Sequence, residues 1–323
     1  MDAMSTIYLV SDKSAAEIDH GRIRIKDDSG MSQDILVEDV DCAVLEWGDH
    51  ISMPLLYVLL ERDIPLFFVN EKGESVASMG GDDICNEIVR AQRVQFGDIF
   101  SCTEIAEDVV CGKIRRQQYL LEEYAEQRKS EALRETAEEL SVWAKCVWGM
   151  DDMGLLRECK DMATRHYYRA FAEILDPSRW PWKKRVDCQA YDPVNAVLNL
   201  GYAFLEREVR LAVLGACLQP CVGFFHTNNG RKDNLVLDLM ELYRASVTDC
   251  FVLRLLDRGT LSPEDFDNDE KTGCRLTEAA YPVWRAAYED YMTKPVLKDN
   301  EEKSPREMIR KEVQEFADRL FEE

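Results

Sequence analysis

The sequence predicts an α+β chain, with a small N-terminal β-sandwich-like domain over residues 1–82 and a larger all-α C-terminal domain over residues 83–323. Three observations carry that prediction. Short β-favouring runs bounded by Gly, Asp, Asn and Ser fill residues 5–80. An apolar period of about 3.6 residues takes over near residue 83 and persists almost to the end. Hydrophobic residues make up 46% of the 323, with no internal repeat or low-complexity segment, which is enough to bury at least one core.

Strands are expected at Thr6–Val10, in the alternating run Arg22-Ile23-Arg24-Ile25-Lys26, at Asp34–Val37 and at Pro65–Val69. One helix interrupts them. Ser52 stands as the N-cap of Met53–Leu60, with Pro54 in the first turn, where its missing N–H costs little. Turns at Lys72-Gly73 and Gly80-Gly81 close the region. Beyond them Ile84, Ile88, Ala91 and Val94 form one apolar stripe, and Val109, Ile114, Leu120 and Leu121 continue the pattern. Breaks fall at 148–152, 176–193, 219–230 and 262–273, the last polar enough to be expected as a mobile loop.

The charge balance, 40 Lys+Arg against 62 Asp+Glu for a net −22, argues against a generic nucleic-acid coat. Local fields decide binding, however, and the basic residues cluster at Lys113 with Arg115-Arg116, at Lys183-Lys184-Arg185 and at Arg231-Lys232. Each cluster reads either as a solvated face or as a phosphate contact. No apolar run approaches the roughly 18 residues a membrane span needs, and the start lacks a basic segment leading into a long apolar one, so a cytoplasmic protein is expected. The 11 cysteines are odd in number and scattered, several in apolar runs, and read as reduced packing residues.

Chemistry concentrates between two helices, in Pro220-Cys221-Val222-Gly223-Phe224-Phe225-His226-Thr227-Asn228-Asn229-Gly230-Arg231-Lys232, followed by a helix carrying Asp238 and Glu241. Three residues apart on a helix, those carboxylates share a face, where with His226 they could grip a hard divalent ion. The same pattern is commonplace on solvated helices, and a lone His after two Phe also reads as a hydrogen-bonded core residue. Upstream, Asn195 and Asn199 lie one turn apart in an apolar helix and need partners; they tie the helix start to the His226 loop or line a groove.

These residues fall into linked motifs: Asp192-Pro193-Val194-Asn195-Ala196 to Gly201-Tyr202; Cys217 through Pro220 and Gly223-Phe224 to His226; and Leu235 through Asp238-Leu239-Met240-Glu241 to Arg244. In order and separation they resemble the CRISPR-associated integrase, the catalytic Cas-one subunit of spacer acquisition. Cys217 stands where that family has glycine. Arg90-Ala91-Gln92 and Gly112-Lys113-Ile114-Arg115 with Gln117 also fit.

The resemblance implies a β domain that forms a homodimer and an α domain with a Mg2+ or Mn2+ site. It implies a metal-dependent DNA integrase and endonuclease that inserts short foreign duplexes into a CRISPR repeat array. A 3′-hydroxyl attacks a phosphodiester, while the metal lowers the hydroxyl's pKa and neutralises charge on phosphorus. His226 and Glu241 match the family's histidine and second acidic ligand, and Asp238 the acidic residue one turn earlier. The implied partners are double-stranded DNA, both protospacer and repeat, and a small CRISPR-associated subunit bridging two dimers. Arg165, Lys183, Lys184, Arg231 and Arg244 are the candidates for DNA phosphate.

One departure matters. The family's first metal ligand is a glutamate in a motif of the form L-x-G-I-E-G-x-A-A-R-x-Y-F, and its ungapped counterpart runs from Leu156 to Tyr168, with Lys160 at the glutamate and Asp161 at the following glycine. A protonated lysine cannot ligate a hard cation and stands instead as an internal counter-ion. Asp161 or Glu158 could supply the missing carboxylate only by a local change of winding, since they point about 100° and 200° from Lys160 on a regular helix. The alternative is a catalytically impaired DNA-binding or scaffold subunit of the same complex.

Overall fold

The computed structural model describes residues 5–9, 16–26, 32–70, 75–80, 86–226, 233–269, 271–298 and 301–322. Lys72-Gly73, Gly81, Ile84 and Arg231 lie outside them. The chain divides into two compact units, Met1–Cys85 and Asn86–Glu323.

The first unit is built from β1 (Ser5–Tyr8), β2 (Glu17–Asp19), β3 (Arg22–Lys26), β4 (Ser32–Leu36), β5 (Val40–Leu45), α1 (Met53–Glu61), β6 (Leu66–Val69) and β7 (Ser75–Met79). One sheet has the order β1-β5-β6-β7, the other β2-β3-β4. β5 pairs in parallel with both β1 and β6, while β7 returns antiparallel to β6. Ile7, Ile23, Ile25, Val40, Ala43 and Leu66 share one core with Leu55 and Leu59 of α1. Ser52 caps α1 by accepting from Leu55 N–H at 3.4 Å.

The second unit holds α2 (Asn86–Gln95), α3 (Ile99–Arg128), α4 (Glu131–Cys146), α5 (Met153–Ile174), α6 (Pro193–Gly215) and α7 (Asn234–Tyr243), then α8 (Cys250–Asp257), α9 (Ala280–Thr293) and α10 (Pro305–Glu322). Side-chain acceptors open several of these helices: Asp98, Ser130, Asp152 and Asp192 each cap the one that follows. In α2, Val89 and Gln92 are buried and Ala91 is half-buried, while Val94 of the expected stripe is exposed.

Two short β-hairpins are set among the helices of this α unit. In the acidic 262–273 stretch, expected as a loop, a short helical turn at Pro263–Asp265 leads into β8 (Phe266–Asp269), which pairs antiparallel with β9 (Gly273–Leu276), and Asp269 accepts from the N–H groups of Lys271 and Thr272. A second hairpin pairs β10 (Val296–Lys298) with β11 (Glu301–Lys303). Between α7 and α8, residues Arg244–Asp249 form a π-helical stretch, in which Cys250 N–H reaches back five residues to Ala245 C=O. Gly201 of α6 packs where a β-carbon would sit 2.7 Å from Thr248 Cγ2, so the π stretch lies hard against that helix.

Candidate DNA-processing centre

The His226 loop is held from both ends. Gln92, fully buried, donates to the carbonyls of Gln219 and Val222 at 2.9 and 2.7 Å and accepts from Gln219 N–H at 2.8 Å. At the other end Asp238, also fully buried, is the loop's anchor. One of its oxygens accepts from the N–H groups of Phe224 and Phe225 at 2.7 and 3.0 Å. The other accepts from His226 N–H at 2.8 Å and meets His226 Nδ1 at 2.6 Å. A carboxylate acceptor puts the proton on Nδ1 and leaves Nε2 for chemistry. Gly223 is required here, because a β-carbon would fall 2.6 Å from Asp238 Oδ2. Asp238, expected beside His226 as a metal ligand, thus has its oxygens filled by the loop.

Glu241 lies one turn further along α7, buried, and faces cations. Lys113 of α3 donates to Oε2, and Arg244 lies 3.4 Å from Oε1. Burial alone would raise the Glu241 carboxyl, yet Lys113, Arg244 and Lys160 outweigh it and hold the group well below the usual carboxylate range. Lys160 sits on the inward face of α5, its side chain only 15% exposed, with Nζ 5.2 Å from the centre of the Phe225 ring. Arg157 shares that ring at 5.3 Å and donates to Phe225 C=O at 2.6 Å.

Neither substitute carboxylate reaches this centre. Asp161 is 61% exposed and its nearest cation is Lys160 at 3.4 Å, while Glu158 is exposed on the same outward side. Helix α5 runs without a bulge through both, so the rotation either would need does not occur. Among the described residues no three His, Cys, Asp or Glu side chains converge to hold an ion. A divalent ion does not fit this donor set: Lys160 brings an ammonium into it, and Glu241 is committed to Lys113 and Arg244.

Behind the centre lies a polar cluster that the sequence reading does not anticipate. Asp249, at the end of the π stretch, accepts from Tyr167 Oη at 2.8 Å and from Tyr202 Oη, and Tyr168 and Tyr202 share a hydrogen bond of 2.7 Å. Arg244 and Arg185 lie over the Tyr202 ring at 4.7 and 5.0 Å. The lone carboxylate in Val247-Thr248-Asp249-Cys250-Phe251-Val252 is the signal that could have found it.

Burial pushes Asp249 up to about 6, the bonds from Tyr202 and Tyr167 opposing it. A carboxyl raised above its unfolded value stabilises the fold fully below its unfolded pKa, near pH 4, and that contribution is lost as pH rises through about 6. Two units at about 1.4 kcal/mol each make the expected loss about 3 kcal/mol. Urea unfolding of the wild type and Asp249→Asn should show their stability difference changing by that amount between pH 4 and 7; parallel curves would give Asp249 an ordinary pKa.

The DNA candidates separate. Arg165 is exposed and donates to Asp161 C=O at 3.2 Å, and Lys183 and Lys184 are exposed. Arg244 is half-buried on Glu241 and Tyr202 rather than facing outward. Arg231 lies outside the described residues. Asn195 and Asn199 bond to the segment before α6 and not to the His226 loop. Asn195 donates to Lys184 C=O at 2.9 Å and accepts from Val186 N–H at 2.9 Å, and Asn199 donates to Cys188 C=O at 2.8 Å. Together they fix the segment that presents the lysine pair.

The site thus joins a histidine oriented by a buried aspartate to a buried glutamate one turn on, which is paired with lysine and arginine. The family described as CRISPR associated protein Cas1 matches residues 7–290, and the chain belongs to that family. A CRISPR-associated endonuclease Cas1 of Moorella thermoacetica is 26% identical over 301 residues, covering 91% of this chain and 88% of that protein. Among solved structures, a Cas1 protein from Thermotoga maritima shares the fold with a TM-score of 0.83 at 21% identity, covering 98% of this chain and 97% of that one. A casposase bound to integration product does so with a TM-score of 0.84 at 20% identity, covering 98% and 90%. No helix among the described residues is long and apolar enough to cross a membrane.

Proposed function

We propose that this chain serves spacer acquisition as a DNA-binding subunit of the integration complex, with fixed cations where the family pattern carries its first metal ligand. The observation that carries this reading is Lys160, turned inward on α5 with its charge acting on Glu241, which is already bonded to Lys113. The matched relative is named an endonuclease and the casposase holds an integration product. That supports double-stranded DNA as the ligand. A homodimer through the N-terminal unit and a small partner subunit bridging two dimers complete the proposed assembly.

The test is Mn2+-dependent integration of a short 3′-hydroxyl duplex into a supercoiled repeat plasmid, with the small partner subunit present. The native chain is expected to bind DNA in EDTA and to give no integration product. Product formation would overturn the reading. It would establish the second one, an active metal-dependent integrase, which the survival of His226, Asp238 and Glu241 together favours.

Lys183 and Lys184 are proposed to hold DNA backbone. Changing both to Ala should weaken binding across sequences and flatten the salt dependence by about 0.9 in log–log slope for each phosphate that the native pair neutralises. Both are exposed, so the melting temperature should stay where it is. An unchanged slope would remove them from the interface.

A further inference from the structure

Away from the His226 centre, a cleft of about 440 Å³ opens between α8 and α9 and the segment that follows α9. Its lining includes Phe251, Arg254, Arg258, Asp290, Tyr291 and Lys294. Three cations against one carboxylate is an unusual balance in a chain of net charge −22. A concave wall concentrates such a field rather than dispersing it. Arg254 is engaged, with Glu123 at 3.4 Å. Arg258 and Lys294 are exposed, and among the described residues neither forms an ion pair with a carboxylate.

The aromatic side of the cleft is the half-buried Tyr291, backed by the buried Phe251. Phe251 packs against Tyr291 with ring centres 5.3 Å apart and against Trp284 at 5.6 Å, and Tyr291 Oη donates to Ser246 C=O at 3.4 Å. An anion site alone has no use for an aromatic wall, and an apolar pocket has no use for two exposed cations. A ligand with a flat face and a negative group uses both. A DNA duplex keeps its base faces stacked inside and cannot offer one; an unpaired nucleotide can.

We propose that the α8–α9 cleft binds one unstacked nucleotide, its base against Tyr291 and its phosphate on Arg258 and Lys294. Ser246 belongs to the π stretch that begins with Arg244, the residue on Glu241, so the cleft and the centre share one structural element. The nucleotide is the end of a DNA strand or a free nucleotide. Its binding does not depend on whether the His226 centre performs strand transfer.

The test is photocrosslinking of the full chain to a five-residue oligothymidylate with a terminal 5-iodouracil, the adduct mapped by mass spectrometry. Adduct is expected on the peptide containing Tyr291. It should fall about tenfold or more in Arg258→Glu with Lys294→Glu, and in the milder Arg258→Ala with Lys294→Ala, at unchanged melting temperature. Suppression by thymidine monophosphate would support a free nucleotide, and suppression only by unlabelled oligothymidylate a strand end. Adducts confined to other peptides, adducts unaffected by both double variants, or equal suppression by inorganic phosphate or by an oligoglutamate peptide would each overturn the proposal.

Discussion

Replacing Lys160 with glutamate is expected to give the chain a divalent-ion site. The change removes an ammonium from the neighbourhood of Glu241 and puts a carboxylate on the same inward face of α5. Charge in the site falls by two, and Lys113 can then be shared between two acids rather than held by one. Hard oxygen donors from positions 160 and 241 with His226 Nε2 form the mixed set that suits Mn2+. Binding should appear directly in Mn2+ electron paramagnetic resonance. It should also appear as stabilisation of about 2.7 kcal/mol at a metal concentration of 100 Kd, with no matching rise for the native chain. Integration activity gained with the metal would complete the result. A native chain that binds Mn2+ as well as the variant would show that some other group already closes the site.

Asp238→Ala is expected to cost about 3–5 kcal/mol of folding stability in EDTA, where no ion can bind. The carboxylate is the acceptor for three successive backbone N–H groups and orients the His226 ring. Phe224 and Phe225 are buried, so their amides would lose their partner without gaining water. The loop would open and His226 would lose its orientation, so DNA-dependent functions should fail together with stability. Denaturant unfolding checks this. An unchanged midpoint would return Asp238 to the role of a metal ligand with no structural duty.

The parts of the fold legible in the sequence are those written in local pattern. Ser52 and Pro54 mark α1 because capping and fixed φ act within one turn, and the alternating Arg22–Lys26 run shows β3 because it has one wet face. β5 escapes that reading for the opposite reason. Val40, Cys42, Ala43 and Val44 are all buried, the strand being flanked on both sides, and no alternation survives. The β8–β9 hairpin escapes it because Phe266-Asp267-Asn268-Asp269 is polar and is ordered by backbone pairing and Asp269, neither of which leaves a hydropathy signature.

The centre divides in the same way. His226, Asp238 and Glu241 stand close together in the chain, so their motif is visible, and the position of Lys160 follows from counting along one helix. Lys113 meets Glu241 across 128 residues of chain. Only the packing of α3 against α7 brings them together, and one cation of the Lys113, Arg115, Arg116 cluster does not name its partner. Asp238 reads as a ligand because spacing reports which face a carboxylate occupies, not which donors have already claimed it.

The π stretch at Arg244–Asp249 also sets a phase. A turn closed over five residues instead of four inserts one residue into an otherwise α-helical path, so α7 and α8 follow one another in space with their faces offset by about 100°. That offset lets one continuous rod aim Glu241 at α3 and, a few turns later, aim Phe251 at α9. Removing a single residue between 244 and 249 would restore the regular helix and turn every side chain beyond it away from its present neighbour, with Glu241 still in place. The rod works as a pair of indexed gears whose tooth offset is stored in one extra residue.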